Sequence, residues 1–147
     1  MDVLQIIKSD HAELRRQIGV VIGAETKPKL LESYELLSGG LRLHLKLEGE
    51  YLYPELGVLL NGSSAGFLVR SQQNHKAILK KMVGIEKGLR TSPVADLRDS
   101  LGQLATAVRD HLEYEEAVMM PRLREAMPTL DREDLGTVFM DVKDAEH

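Results

Sequence analysis

Two histidines in the chain are each followed, four residues later, by a glutamate. The pairs are His44 with Glu48 and His111 with Glu115. Residues four apart on an α-helix lie one turn apart on the same face, so both members of each pair point in one direction. Imidazole nitrogens and carboxylate oxygens are ligands of iron, manganese and zinc. Each pair can therefore close on one metal ion or bridge two.

Two further histidines and two prolines extend this pattern. After the terminal His147 is set aside, His11 and His75 bring the number of histidines to four, one in each long predicted helix. A proline stands ten residues after the histidine of each His-x-x-x-Glu pair, at Pro54 and Pro121. At average residue usage, the chance of both glutamates and both prolines at these spacings is about one in 100,000. The second and fourth helices therefore carry an internal repeat.

Hydrophobic periodicity predicts these four helices. Apolar residues recur at alternating intervals of three and four, the spacing of a helix face that packs in a bundle interior. Turn-forming residues near positions 26–28, 61–64, 91–93 and 127–129 separate the helices, and such short connections predict an up-down-up-down order. The predicted buried lines are Leu4, Ile7, His11, Leu14, Ile18 and Val21; Leu30, Leu37, Leu41, His44, Glu48 and Tyr51; Leu68, Gln72, His75, Leu79 and Met82; and Leu97, Leu101, Leu104, Val108, His111, Glu115 and Val118.

Composition agrees with a small all-α protein. The 147 residues are 43% hydrophobic, which suffices for one domain with a real core and not for two. Aromatic residues make up only 4%, with no tryptophan, so aliphatic helix interfaces are favoured over sheets. We expect a single domain over residues 1–147, with a four-helix bundle at about 2–127 and a tail at 128–147 that forms a short C-terminal helix.

Charge and the lack of cysteine exclude several classes of protein. A formal net charge of −4 leaves no excess of basic residues to neutralise phosphates, so nucleic acid is not an expected partner. Without cysteine, any metal must bind nitrogen and oxygen ligands. Charged residues interrupt the N-terminal segment and no other stretch is long and apolar enough, so neither a signal peptide nor a membrane span is predicted. We expect a cytoplasmic protein.

Local signals refine the helix ends. Ser92 before Pro93 predicts an N-cap followed by proline at the first helical position. The C-terminal helix is predicted over about residues 131–142. Two adjacent glycines, Gly39 and Gly40, cost a helix about 2 kcal/mol relative to alanine, so we expect a kink or a close helix crossing there.

The polar residues on the predicted buried lines point to a metal site. A single histidine on an apolar face is more often a hydrogen-bonded core residue than a ligand. Two carboxylates in the same core cost several kcal/mol each unless positive charge neutralises them, and metal cations do so. We interpret four other glutamates as solvated helix charges, although the last of them can replace Glu115 if the helix is rotated. These four are Glu13, Glu50, Glu113 and Glu116.

The ordered set of histidines and glutamates resembles the hemerythrin-like family of HHE cation-binding domains. The family pattern of His, His-x-x-x-Glu, His, His-x-x-x-Glu matches about residues 2–127, and the dipeptides at 10–11, 53–54 and 120–121 are also similar. The resemblance implies a non-haem di-iron centre with bridging carboxylates. The implied metal ligands are His11, His44, Glu48, His75, His111 and Glu115.

Donor counting predicts open metal positions. Four imidazole nitrogens and four carboxylate oxygens fill about eight of about twelve positions around two octahedral metals. An oxide or hydroxide bridge takes two more, which leaves about two for dioxygen, peroxide or nitric oxide. Zinc prefers four-coordinate sites and lacks redox chemistry, so two iron ions are expected, with manganese and zinc less favoured.

The chain also departs from the family. Oxygen-carrying members have a fifth histidine one turn from the third, where this chain has Ser71 or Leu79, so reversible oxygen carriage is not expected. A phenol from Tyr51 or Tyr53 can approach the metals, and a tyrosine packed at the bundle rim is an equal alternative.

The expected function is to bind or react with dioxygen, peroxide or nitric oxide. Catalase-like decomposition of peroxide fits a four-histidine centre, but no side chain decides whether the protein is an enzyme. Iron handling for repair is an alternative within the family, although such relatives usually carry a cysteine-bearing segment that is missing here. A metal-free helical module that binds another protein is the last alternative, and it leaves six polar core positions unexplained.

Overall fold

The computed structural model describes residues 1–62 and 65–146, and every regular element in them is helical. Four long helices form a bundle, and a fifth helix packs against the first. The second and fourth long helices each contain a π-helical turn between two α-helical parts. The bounds are α1 Val3–Gly23; α2 Lys27–Leu47, a π turn at Glu48–Leu52 and α3 Tyr53–Leu60; α4 Ala65–Gly88; α5 Val94–Tyr114, a π turn at Glu115–Met119 and α6 Met120–Ala126; and α7 Thr129–Ala145. The predicted all-α bundle is confirmed.

Neighbouring helices run antiparallel, as the short connections predicted. Asp10 of α1 lies beside His44 near the end of α2, whereas Gln17, further along α1, lies beside Gly40, which comes earlier in α2. Contacts from α1 to α5 and from α2 to α4 run in the same reversed order. The four long helices therefore alternate up and down.

Two apolar clusters fill the bundle on either side of a polar layer. One cluster includes Ala24, Leu30 and Leu97 near the turns at one end. The other includes Leu56 and Phe139 and brings α7 into the core. The buried histidines and glutamates fall at the boundary between the two clusters on all four long helices. The polar layer is thus enclosed by hydrocarbon at both ends.

The predicted buried lines hold for α1 throughout and for the second and fourth long helices as far as their glutamates. Beyond that point, the predicted residues Tyr51 and Val118 are only partly buried, and their neighbours Leu52 and Met119 take the core positions. A π turn adds one residue to the turn, which moves the buried position one place along the chain.

The line predicted for the third helix is wrong at two positions. Gln72 and Leu79 are exposed, whereas Ser71 and Ile78 are buried beside His75. Both choices satisfy a spacing of three or four residues from the histidine, and residues 78 and 79 are both apolar, so the pattern does not decide between them. The orientation of α4 is set by its packing on α5 rather than by the apolar pattern alone.

Two predicted helix boundaries move by a few residues. Helix α5 begins at Val94 with Pro93 as its N-cap, one residue later than predicted, so Ser92 is not the N-cap. The Ser92 carbonyl accepts a hydrogen bond from Lys27 Nζ. Helix α7 begins before and ends beyond the predicted range 131–142. Two residues of the predicted connection at 61–64, and the terminal histidine set aside above, lie outside the described residues.

The predicted close crossing at the glycine pair is present. Helix α2 runs unbroken through Gly39 and Gly40, and a Cβ atom added at Gly40 would lie 3.1 Å from Gln17 Oε1 of α1. A Cβ atom at position 40 would require the Gln17 side chain to shift by a few tenths of an ångström. Within residues 1–62 and 65–146, none of the helices has the length and apolar character that a membrane crossing requires.

Candidate metal centre

The six predicted ligands converge at the centre of the bundle. Each long helix contributes one histidine, and each π turn begins with one of the two glutamates. All six side chains come from the boundary between the apolar clusters, and five of them are at most 2% exposed, while His75 is 9% exposed. The six residues are His11 of α1, His44 and Glu48 of the second long helix, His75 of α4, and His111 and Glu115 of the fourth.

The histidine Nε2 atoms point at the two carboxylates. Each carboxylate faces three of the four imidazoles, and the Nε2 atoms of His75 and His111 lie 3.2 Å from each other. The distances from Glu115 Oε1 are 3.2 Å to His11 Nε2 and 3.5 Å to His44 Nε2 and His111 Nε2; those from Glu48 Oε1 are 3.2 Å to His75 Nε2, 3.3 Å to His44 Nε2 and 3.5 Å to His111 Nε2.

These atoms form two overlapping groups, each of a size that suits one metal ion. Within each group, one ligand atom from every residue lies within 4.8 Å of the others. Both groups contain both glutamates, as bridging ligands would. We call the group with His11 and His44 the α1–α2 position, and the group with His75 and His111 the α4–α5 position.

This ordered set of donors has a counterpart among known proteins. The family model described as Hemerythrin HHE cation binding domain matches residues 2–128, a span that contains all six side chains. The chain belongs to the hemerythrin HHE family. The resemblance inferred from the sequence is thereby confirmed.

One curated protein aligns with this chain at low identity. It is a protein named DNA nickase from Nostoc sp. (strain PCC 7120 / SAG 25.82 / UTEX 2576), which is 24% identical over 144 residues. The alignment covers 97% of this chain and 39% of the relative, so the chain spans about two fifths of that protein's length. No solved structure gives a significant match.

In this HHE domain, each π turn determines which later side chain lies next to its glutamate at the centre of the bundle. The proline six residues after each glutamate lacks an N–H, and its ring clashes with the carbonyl four residues back, so a regular α-helix is interrupted. Instead, Tyr53 N–H donates to Glu48 O and Met120 N–H donates to Glu115 O, each five residues back. The residue five places after each glutamate therefore lies above it.

Tyr53 is the tyrosine that reaches the centre. Its hydroxyl donates to Glu115 Oε2 at 3.0 Å and lies 3.0 Å from His75 Nε2 and 3.5 Å from Glu48 Oε1. Burial, together with the two carboxylates, raises the pKa of Tyr53, so its phenol is protonated at neutral pH. Tyr51 is only partly buried and packs against the apolar cluster that contains α7.

The carboxylate of Glu116, which was predicted to be a solvated helix charge, instead lies beside His11. Glu116 Oε2 lies 2.7 Å from His11 Nδ1, and both Glu116 oxygens also accept hydrogen bonds from Arg15. The Arg15 guanidinium, opposed by partial burial and helped by His11, lowers the pKa of Glu116 to about 2. Glu116 therefore supports a histidine and does not replace Glu115. The other three glutamates interpreted as solvated are exposed, namely Glu13, Glu50 and Glu113.

The carboxylate of Asp10 lies beside His44. The sequence pointed to Asp10 only as part of the family resemblance. Asp10 Oδ2 lies 3.7 Å from His44 Nδ1, an ion-pair distance rather than a hydrogen bond. The other Asp10 oxygen accepts a hydrogen bond from Lys143 of α7. Burial alone raises the pKa of Asp10, but His44 and Lys143 lower it below its ordinary value. Sequence reasoning missed Lys143, because no local spacing links it to residue 10.

The α4–α5 position has a different surrounding. His111 Nδ1 lies 3.3 Å from the side-chain amide of Asn74, a neutral group that can present either its nitrogen or its oxygen. Ser71, one turn before His75, is fully buried, whereas Leu79, one turn after it, faces solvent. Neither fifth-histidine candidate is itself a strong metal ligand, so the described residues offer four imidazoles in this layer.

Charge at the centre fits a pair of cations. Both glutamates are fully buried, and Glu48 Oε2 has no hydrogen-bond partner in the protein. Burial raises the pKa of Glu48, but His44, a hydrogen bond with Glu115 and His111 together outweigh burial and hold that pKa well below its ordinary value. Burial lowers the pKa of His44, while Glu48 and Asp10 raise it well above its usual range. Protons on imidazoles thus offset the carboxylates here, and metal ions in their place would satisfy the remaining Glu48 oxygen.

Proposed function

We propose that this HHE domain holds two iron ions between its six central side chains and that the pair of ions binds or reacts with dioxygen, peroxide or nitric oxide. One observation carries the proposal: two fully buried carboxylates each face three imidazole nitrogens, and one carboxylate oxygen has no protein donor. Such a cluster needs cations to offset its charge. A nitrogen and oxygen donor set with room for small ligands favours iron, and manganese or zinc are outcomes of the test.

Six side chains cannot saturate two such ions. They offer about eight donor atoms against about twelve positions, so small molecules have room to bind. Bound iron supplies Lewis acidity and one-electron redox chemistry. The protein supplies a layer enclosed by two apolar clusters, which limits bulk water at the centre.

Tyr53 is a proton donor beside the centre. Its Oη holds a proton that Glu115 Oε2 accepts in this structure, and His75 lies equally near. A small ligand beside His75 is within reach of the same hydroxyl. Since His75 is the most exposed of the six central side chains, we propose that such ligands approach from its side of the bundle.

The direct test is to load the protein with ferrous iron without oxygen and to add dioxygen, nitric oxide and hydrogen peroxide separately. Absorption spectra follow the iron, and an electrode follows any oxygen released. The proposal expects a spectral change with at least one of the three, and His111→Ala, which removes a ligand, serves as the matched control. Steady oxygen release from peroxide identifies a catalase-like enzyme, and a stable reversible adduct identifies a binding protein. Iron-loaded protein that responds to none of them contradicts the proposal.

Two other functions are separated by simple assays. The relative named DNA nickase raises DNA as a substrate, but it is matched over 39% of its length, and the net charge of −4 disfavours binding to a phosphate backbone. Nicking of supercoiled plasmid by the iron-loaded protein and not by His111→Ala would favour DNA over small ligands. Protein that stays free of metal after iron supplementation would favour a protein-interaction module.

A further inference from the structure

We infer that the two metal positions are unequal. The α1–α2 position binds a metal ion first and more tightly, because a carboxylate lies at the Nδ1 atom of each of its two histidines. This inference rests on the proposed metal centre. It concerns Asp10 and Glu116, which lie outside the set of six ligands, and Lys143 of α7, which lies beyond the residues that match the HHE family.

On one side of the α1–α2 position, His11 is fixed by a strong contact. Its Nδ1 lies 2.7 Å from Glu116 Oε2, and its Nε2 lies 3.2 Å from Glu115 Oε1. A carboxylate on Nδ1 fixes the tautomer that presents a free lone pair on Nε2 and makes that nitrogen a better donor. Arg15 holds both oxygens of Glu116, so the carboxylate stays in place.

On the other side, His44 is supported by one residue of α1 and one residue of α7. Asp10, next to His11 in the chain, faces His44 Nδ1 at 3.7 Å, and Lys143 of α7 binds the other Asp10 oxygen. Both histidines of the α1–α2 position therefore have an anionic partner, and each partner is itself anchored by a cation.

The α4–α5 position lacks this support. Among the described residues, the carboxylates in ion-pair range of its histidines are Glu48 and Glu115, which both positions share. The only described side chain at His111 Nδ1 is the neutral amide of Asn74, and His75 is the most exposed ligand.

The hydrogen bond at His11 and the ion pair at His44 cause the difference, rather than net charge. Arg15 and Lys143 offset the charges of Glu116 and Asp10, so the field at the two positions differs little. Removal of a group that orients a metal-binding histidine typically lowers metal affinity by about 10–100-fold. Because a carboxylate lies at Nδ1 of both histidines of the α1–α2 position and only the neutral Asn74 amide lies at Nδ1 of His111, we expect the two binding steps to differ by about tenfold.

The test is an anaerobic titration with cobalt(II), whose visible absorption reports its ligands. Wild-type protein should bind two cobalt ions in two resolved steps. His75→Ala should remove the second step and keep the spectrum of the first, whereas His11→Ala should remove the first. Glu116→Gln, which keeps the size of the side chain, should weaken the first step about tenfold and leave the second unchanged.

A matched control separates ligand support from helix docking. Lys46→Met removes an ion pair of 2.9 Å with Glu146 that links α2 to α7 without touching a histidine. It should leave both cobalt steps unchanged, while Lys143→Met should weaken the first. Circular dichroism checks that each variant is folded, and Arg15→Met replaces Glu116→Gln if that variant does not fold.

Two equal steps in the wild type would overturn the inference, as would Glu116→Gln weakening both steps alike. Binding of fewer than two cobalt ions would instead count against the metal centre itself. The two failures are therefore distinguishable in one titration.

Discussion

The Tyr53 hydroxyl donates a hydrogen bond of 3.0 Å to Glu115 Oε2, and this bond joins the two halves of the internal repeat. Tyr53 follows Glu48 by five residues in one half, and Met120 follows Glu115 by five residues in the other. Both π turns place that fifth residue over its glutamate. The two halves of the repeat thus have the same metal-ligand types but differ in the residue above each glutamate, because Tyr53 has a hydroxyl that can donate a proton and Met120 does not.

The first prediction follows from this asymmetry. Tyr53→Phe removes the hydroxyl beside His75 and Glu115, so it should weaken metal binding at the α4–α5 position by about tenfold and affect the other position less, because the hydroxyl reaches that position only through the shared glutamates. Iron retained after dialysis against a weak chelator measures this. Tyr51→Phe is the matched control and should behave as wild type, since Tyr51 packs in the apolar cluster. If the two variants lose iron equally, Tyr53 has no special role.

The second prediction links metal to stability. A ligand that binds only the folded state at a hundred times its Kd stabilises it by about 2.7 kcal/mol, so iron should raise the Tm. Glu48→Ala removes a carboxylate that belongs to both metal-binding groups, and His111→Ala removes a histidine of the α4–α5 position, so each should reduce that rise. Calorimetry with and without iron gives the result. Variants that keep the whole rise would show that these two residues are not ligands.

The third prediction concerns acid stability away from the centre. Glu86 accepts a hydrogen bond from Tyr34 at 2.7 Å and two from Arg42 at 3.0 Å. Partial burial raises the pKa of Glu86, but Arg42 and Tyr34 outweigh it and hold that pKa below its ordinary value. Such a group stabilises the fold above its unfolded pKa of about 4.3 and loses this effect as the pH falls through the folded value.

Glu86→Gln should therefore lower the Tm at pH 7, and its difference from wild type should shrink below about pH 4. Thermal unfolding of metal-free protein across this range measures the difference. A difference that is constant with pH would show that Glu86 acts through packing and not through its charge.

The fourth prediction tests the docking of α7. A Cβ atom at Gly136 would collide with the Met1 backbone, where α7 crosses the start of α1, so Gly136→Ala should cost about 1–3 kcal/mol. Gly84 lies within α4 with open space around it, and Gly84→Ala should stabilise by about 0.5–1 kcal/mol. Urea unfolding gives both values. A neutral Gly136→Ala would mean that the N-terminus yields without cost.

The sequence predicted the bundle and its six central residues because those features depend on helical spacing. A step of four residues places His44 with Glu48 and His111 with Glu115 whatever the details of packing. The line on α1, with His11 in its middle, is regular enough to orient that helix without further information.

Helical spacing could not decide whether Tyr51 or Tyr53 lies at the centre. A regular α-helix puts Tyr51, three residues after Glu48, over the buried face, whereas the π turn brings Tyr53 there instead. The signal was present in Pro54, which interrupts α-helical hydrogen bonding. Lys143 is different, because its contact with Asp10 spans 133 residues of sequence and depends on how α7 docks.

Metal content tests the central claim most directly. The protein should be expressed with added iron, purified without chelator and analysed by plasma emission spectroscopy beside the Glu48→Gln/Glu115→Gln double variant. The proposed centre predicts two iron ions per wild-type chain and a large loss in the double variant, because both carboxylates belong to both metal-binding groups. Wild-type protein that is folded, iron-supplemented and free of any metal would contradict it.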